Sequence, residues 1–254
     1  MDIVLLGSGN VATHFGKALV RAGHRVAQVY SRTKAHATVL AASLNAQAID
    51  NLSVVDPTAD MYLFAIKDDV IAPLVSQLPA LKRGIVAHTA GSVDMAVLAA
   101  HAPRCGVIYP VQTFSLAKPV DFSVVPLAVE ASDETTYQRL NQLVEPLSTR
   151  IFPCDSRQRL ALHVAAVFAC NFTNHLYAVG ADLVREHALD FDLLRPLILE
   201  TAQKVMAHAP RDVQTGPAVR NDVGTMQKHI ELLEASNPAL VALYRQLSER
   251  IYSN

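Results

Sequence analysis

The turn Gly7-Ser8-Gly9-Asn10-Val11-Ala12 is the first place in this sequence where residue types and spacing point to chemistry. It has the GxGxxA pattern, after the strand-like run DIVLLG and at the start of a helical pattern over 10–22. In that setting Gly7 permits a tight turn, Gly9 lets a pyrophosphate approach the backbone, and small Ala12 lets helix and strand pack closely. The helix N-terminus adds N–H donors and the positive end of its dipole. Gly7, Ser8, Gly9, Asn10 and Val11 are therefore candidate contacts for a dinucleotide. An NAD-binding chain would place Asp or Glu at the end of the second strand, for the ribose hydroxyls. Here RVAQVYS ends in Ser31, Arg32 and Thr33, with Lys34 behind. A guanidinium fork suits a 2′-phosphate that a carboxylate would repel, so the exchange favours NADP(H) over NAD(H). The plainer readings are a glycine turn in an unrelated sheet and a solvated arginine.

Loops at the carboxyl ends of parallel strands face the ligand crevice. Lys67 follows the strand MYLFAI and is a candidate cofactor contact, while Asp68 and Asp69 serve equally well as helix caps. His88, Thr89 and Gly91 in AHTAGSV are candidates for the nicotinamide side of the crevice, while Ser92 reads as a cap for the next helix. The loop YPVQTFS brings Tyr109, Gln112, Thr113 and Ser115 either to substrate or to the joint between domains.

Candidate acid, base and orienting groups lie further on. The segment LHVAAVFACNFTNHLY, 162–177, is almost wholly apolar and reads as buried all round. His163, Cys170 and Asn174 share one face at 100° per residue, with Asn171 beside it. They are either satisfied core or interface groups, or a substrate-facing set. TGPAVRNDVGTMQKH, 215–229, reads as a helix capped by Thr215 or Gly216, with Arg220 near its start and Asp222 and His229 near its apolar stripe. That trio fits an interface ion-pair network and a site equally well.

The elements that must hold these groups alternate. Strand-like runs at 2–7, 25–31, 61–66, 84–90, 104–110 and 125–131 are separated by helical patterns such as 34–44. That order implies βαβ units and a mostly parallel sheet. From Asp155 or Ser156 to about Glu186 there is no proline, which predicts one long helix. Helical patterns at 191–207, 217–235 and 238–252 follow. The expected division is 1–152, an α/β nucleotide-binding domain, and 153–254, all helical.

The bulk composition narrows the setting. Of 254 residues, 51% are hydrophobic and 18% charged, and the net charge is −1, which supports a real core and gives no sign of a nucleic-acid or membrane partner. The three cysteines form no CxxC, so neither a disulfide framework nor a metal site is expected. With no signal-like start, a soluble cytoplasmic protein is the expectation.

GSGNVA, HTAGS, YPVQTFS, AVFACNFTNHLY and TGPAVRND together resemble a bacterial family of NADP-dependent oxidoreductases. Members join a Rossmann-like domain to a C-terminal domain of unknown function. The family is similar in architecture to pyrroline-5-carboxylate reductases, to 6-phosphogluconate and β-hydroxyacid dehydrogenases, and to deazaflavin-linked NADP reductases. The resemblance implies NADP at Gly7, Gly9, Ser31 and Arg32, a helical dimerisation domain of the 6-phosphogluconate dehydrogenase type, and a homodimer with its active site between domains. The hydroxyacid dehydrogenases carry a lysine one turn before an asparagine on the long helix. If Asn171 matches that asparagine, the lysine position holds Val167, which cannot move a proton. Imine reduction asks less of a protein acid.

The reading is hydride transfer between NADP(H) and a small C=N or C=O substrate. His163 is the acid/base, Asn171 and Asn174 orient substrate, and Arg220 grips a carboxylate. The rivals are a non-catalytic NADP sensor or assembly protein, and a deazaflavin-linked reductase.

Overall fold

A computed structural model describes residues 1–253. An eight-stranded sheet is ordered β3-β2-β1-β4-β5-β6-β7-β8, with β1 Asp2–Leu6, β2 Arg25–Tyr30, β3 Gln47–Ile49, β4 Met61–Phe64, β5 Ile85–His88, β6 Cys105–Pro110, β7 Leu127–Ala131 and β8 Ile151–Pro153. Every pairing is parallel except β6 with β7. The helices are α1 Asn10–Arg21, α2 Lys34–Leu44, α3 Asp68–Val75, α4 Ala96–Ala99, α5 Glu134–Val144, α6 Ser156–Ala166, α7 Thr173–Glu186, α8 Arg195–Ala207, α9 Val223–Ser236 and α10 Ala239–Tyr252.

The sheet is apolar on both sides because helices cover both. Ile3 and Leu5 face the cluster of Phe15, Leu19, Leu40 and Leu140, while Val4 and Leu6 face Tyr62, Phe64, Ile71 and Leu98. Strand periodicity alone divides the two cores. β1 lies between β2 and β4, so the chain leaves it in opposite directions at a topological switch point.

By contacts the described chain forms two compact units, Met1–Phe172 and Thr173 onward. The composition change near 152 falls where β8 ends, ahead of α6. Asp155 caps α6 in a capping box with Gln158. The predicted long helix runs from Ser156 to Glu186, but its middle, Val167–Phe172, is a π-helix. The 100° rule does not hold through that wider turn, so the shared face expected for His163, Cys170 and Asn174 does not follow.

Several expectations are corrected. The segment 162–177 is not buried in the single chain: Val164, Phe168, Phe172 and Leu176 are all exposed, Phe168 by 65%. The helix expected from 217 begins at Val223, capped by Asp222, whose carboxylate accepts from the Thr225 N–H at 3.1 Å. Thr215 and Gly216 cap nothing, because residues 217–221 are turns. The short strands β3 and β8 and the helix α5 were not expected. No described helix is long and apolar enough to cross a membrane.

Candidate nucleotide and substrate pocket

A cavity of about 520 Å³ opens at the carboxyl ends of β1, β2, β4, β5 and β6, and all its lining residues belong to the first unit. One end is the turn after β1. Gly7 has φ +133°, and a Cβ there would stand 2.2 Å from the Ala65 carbonyl oxygen, so only glycine fits. Its N–H donates to the Tyr30 carbonyl at 2.9 Å, tying the turn to β2. Around the Gly9 Cα there is open space that a side chain would fill. Gly9 is the N-cap of α1 and offers no capping side chain, and the first turn holds no acidic residue. The first N–H groups of a helix have no intrahelical acceptor. This is a cradle for an anion.

Ser31 and Arg32 line the cavity where β2 ends. Arg32 is exposed and makes no hydrogen bond or ion pair to any described residue, so its fork is available to a ligand phosphate. Lys34 is not available: its Nζ donates to the Ala48 carbonyl at 3.1 Å and to Asp50 at 3.3 Å. Thr33 is the N-cap of α2 and does not line the cavity. Lys67 does line it, as does Asp68, whose carboxylate accepts from the Ser92 hydroxyl.

The other end is built by Thr89, Gly91, Tyr109, Gln112 and His163. Tyr109 Oη and His163 Nδ1 are 3.1 Å apart. Phe114 closes one side, and its loop is held to α1 by two bonds of 2.9 Å, from Asn10 Nδ2 to the Phe114 carbonyl and between His14 Nε2 and the Ser115 carbonyl. Asn10 is thus partly committed to the loop.

His88 is not at the cavity. It ends β5 with no exposed surface, its Nδ1 accepts from the Ala90 N–H at 3.1 Å, and its Nε2 has no partner among the described residues. Burial, helped by the nearby Arg159 guanidinium, pushes it down to about 3. The strand-like run at 84–90 already contains His88, and as the last residue of β5 it is wholly buried and not on the crevice. Asn171 is exposed on the π-helix outside the cavity lining, while Asn174 on α7 and Arg220 in the turn before α9 are exposed residues of the second unit.

The cavity thus gathers Gly7, Ser8, Gly9, Asn10, Val11, Ser31, Arg32, Lys67, Thr89 and His163. Gly91, expected from the sequence, also lines it, whereas sequence reasoning left Tyr109 undecided and overlooked Phe114. Tyr109 had a usable signal, its place at the carboxyl end of a parallel strand. Phe114 had none.

This is the architecture of a Rossmann-type NADP oxidoreductase. Residues 2–91 match the family described as NADP oxidoreductase, coenzyme F420-dependent. Residues 125–251 match the domain of unknown function DUF2520. A candidate NADP oxidoreductase from Bacteroides fragilis is 44% identical in sequence, with a TM-score of 0.93 over 100% of this chain and 98% of that one. The chain belongs to the DUF2520 family of NADP oxidoreductases. The Aspergillus terreus reductive aminase, solved with NADPH and ethyl-5-oxohexanoate, shares the fold at 16% identity and TM-score 0.74, covering 98% of this chain and 92% of its own. So does the Streptococcus pyogenes 1-pyrroline-5-carboxylate reductase, at 14% and 0.65, covering 100% and 99%. No functionally curated protein matches the sequence.

Proposed function

We propose that the protein is a reductase of small C=N or C=O compounds. The observation that carries this reading is one cavity holding both the anion cradle with Arg32 and a proton-bearing end at Tyr109 and His163. NADPH bound there would supply a hydride. The chain's own residues do the rest: the α1 amides and Arg32 hold the phosphates, and Thr89, Gln112 and Phe114 shape and dry the reacting end. For a carbonyl, carbon takes the hydride and oxygen takes a proton from His163. A protonated imine brings its own proton, which is why Val167 in place of a lysine is tolerable.

Asn171, Asn174 and Arg220 stay in this reading as substrate-orienting groups, reached on assembly. We infer a homodimer through the helical part, because Leu160, Val164, Phe168 and Phe172, four residues apart, are all exposed. The three cysteines are free thiols, which fits a cytoplasmic location.

The test is NADPH oxidation by the full chain with two probes, 1-pyrroline as the imine and ethyl 5-oxohexanoate as the ketone. Turnover of either, with loss of at least roughly tenfold in His163→Ala on the ketone, is expected. NADPH binding without turnover of either probe would support a sensor instead.

A further inference from the structure

We propose that Tyr109 and His163 act as one proton donor, the phenol being the source and the imidazole the carrier to substrate. This rests on the reductase reading above. Both side chains line the cavity, with Tyr109 Oη 3.1 Å from His163 Nδ1 and the rings edge-on at 79°. Tyr109 is 8% exposed, and its hydroxyl has no other hydrogen-bond partner among the described residues. A phenol has one hydrogen to give, and Nδ1 is the acceptor in reach. The neutral imidazole then carries its own hydrogen on Nε2, the ring nitrogen with no partner among the described residues.

The ring is held from two further sides. A Cβ on Gly91 would stand 2.7 Å from His163 Nδ1 and 2.8 Å from Cγ, so the glycine is what lets the imidazole lie against the loop after β5. One turn earlier on α6, Arg159 is 1% exposed and donates to the Glu130 carboxylate on β7, to the Val93 carbonyl, and to Ser156 Oγ at 3.0 Å. That clamp fixes α6, and with it His163, to the sheet. Arg159 and Gly91 are positioning residues; Tyr109 and His163 meet the substrate.

The step balances without any group beyond NADPH and water. The carbonyl carbon takes the hydride with its electron pair, and the oxygen takes the Nε2 proton. Nδ1 takes the phenolic proton in the same event, so the imidazole stays neutral; the phenolate then recovers that proton from Nδ1 while water gives one to Nε2, which restores the starting tautomer and leaves hydroxide. The charged and titratable groups facing Tyr109 are Asp68 from α3, Arg159 and His163 from α6 and Cys170 from the π-helix. Burial foremost, then Asp68, raises the phenol above its ordinary range; Arg159 opposes this and Cys170 adds to it. The phenol therefore keeps its proton to high pH. Without it, the imidazole can donate only as imidazolium, a form that grows scarcer as pH rises.

The experiment compares wild type and Tyr109→Phe in the full chain, with NADPH and ethyl 5-oxohexanoate, from about pH 6 to about pH 9. Wild-type kcat is expected to stay level, and the variant to fall at least roughly tenfold further behind at the upper end than at the lower. NADPH affinity should be unchanged, which separates this result from misfolding. A second measurement, long-range proton–nitrogen NMR of the NADP⁺-loaded wild type assigned with His163→Ala, should find the His163 hydrogen on Nε2. A variant that keeps both rate and pH profile, or a hydrogen found on Nδ1, overturns the relay alone. A wild type that binds NADPH but reduces neither probe overturns the reductase reading, and the relay falls with it.

Discussion

The two compact units use their apolar residues in opposite ways. In the first, Ile3, Leu5, Leu63 and Val107 are wholly buried, and two clusters fill both faces of the sheet. In the second, Ala218, Ile230 and Leu233 are the only buried apolar side chains among the described residues, and α7, α8 and α10 bury none. Leu193, Leu197, Leu199 and Met206 stand exposed, Met206 by 87%. The hydrophobic effect makes such a surface costly in water and favours covering it. The sheet of the first unit is packed within one chain and carries the whole cavity, but the unit's last helical stretch, with Leu160, Val164, Phe168 and Phe172, is exposed like the second unit. That stretch and the second unit both present apolar surface to be covered, which is the physical ground for the proposed dimer.

The largest effect should come from breaking that cover. Phe168→Asp with Phe172→Asp places two charges where a partner's apolar surface is expected. Sedimentation should then show single chains of 27.5 kDa where the wild type sediments at twice that, with association weakened roughly thousandfold, about 4 kcal/mol. A wild type that is already monomeric would end the argument from exposed surface. The comparison sharpens next by truncation in that double variant. Leu5→Ala in the first unit should cost about 3 kcal/mol in urea unfolding. Leu197→Ala, at a position 62% exposed, should cost under about 0.5 kcal/mol. Equal costs would mean that the second unit has a core of its own.

A smaller effect distinguishes the first unit by pH. His88 is buried and held neutral, down to about 3. A histidine depressed in the fold but ordinary when unfolded lends stability that is present above about pH 6.5 and lost as pH falls toward 3, about 1.4 kcal/mol per unit. Near pH 5 the loss should approach about 2 kcal/mol. His88→Asn should flatten that slope, and an unchanged slope would show that some other group drives acid unfolding.

How much of this was legible in sequence follows the same division. The first unit announces itself because one strand followed by GSGNVA and a helix has few physical readings, and apolar runs such as MYLF mark strands buried on both faces. The antiparallel pairing of β7 was not legible, since direction depends on a connection and not on composition. His88 reads as a crevice residue although the strand-like run 84–90 already contains it; at the last position of β5 it is wholly buried. The Tyr109–His163 pair joins residues 54 apart and rests on Gly91 lacking a side chain, a coincidence no local pattern encodes. In the stretch 162–177, which runs from the first unit into the second, the apolar sequence reads as burial within the chain. Composition says that a side chain avoids water, but not which molecule covers it.

The smallest expected effect is also the most direct test of the central claim that the first unit is built for NADP(H). Fluorescence titrations of the purified chain with NADPH and with NADH should be repeated on Arg32→Ala. The account predicts NADPH binding at least roughly tenfold tighter, about 1.4 kcal/mol, with that preference lost in the variant. Equal affinity for the two nucleotides, or binding of neither, would contradict it.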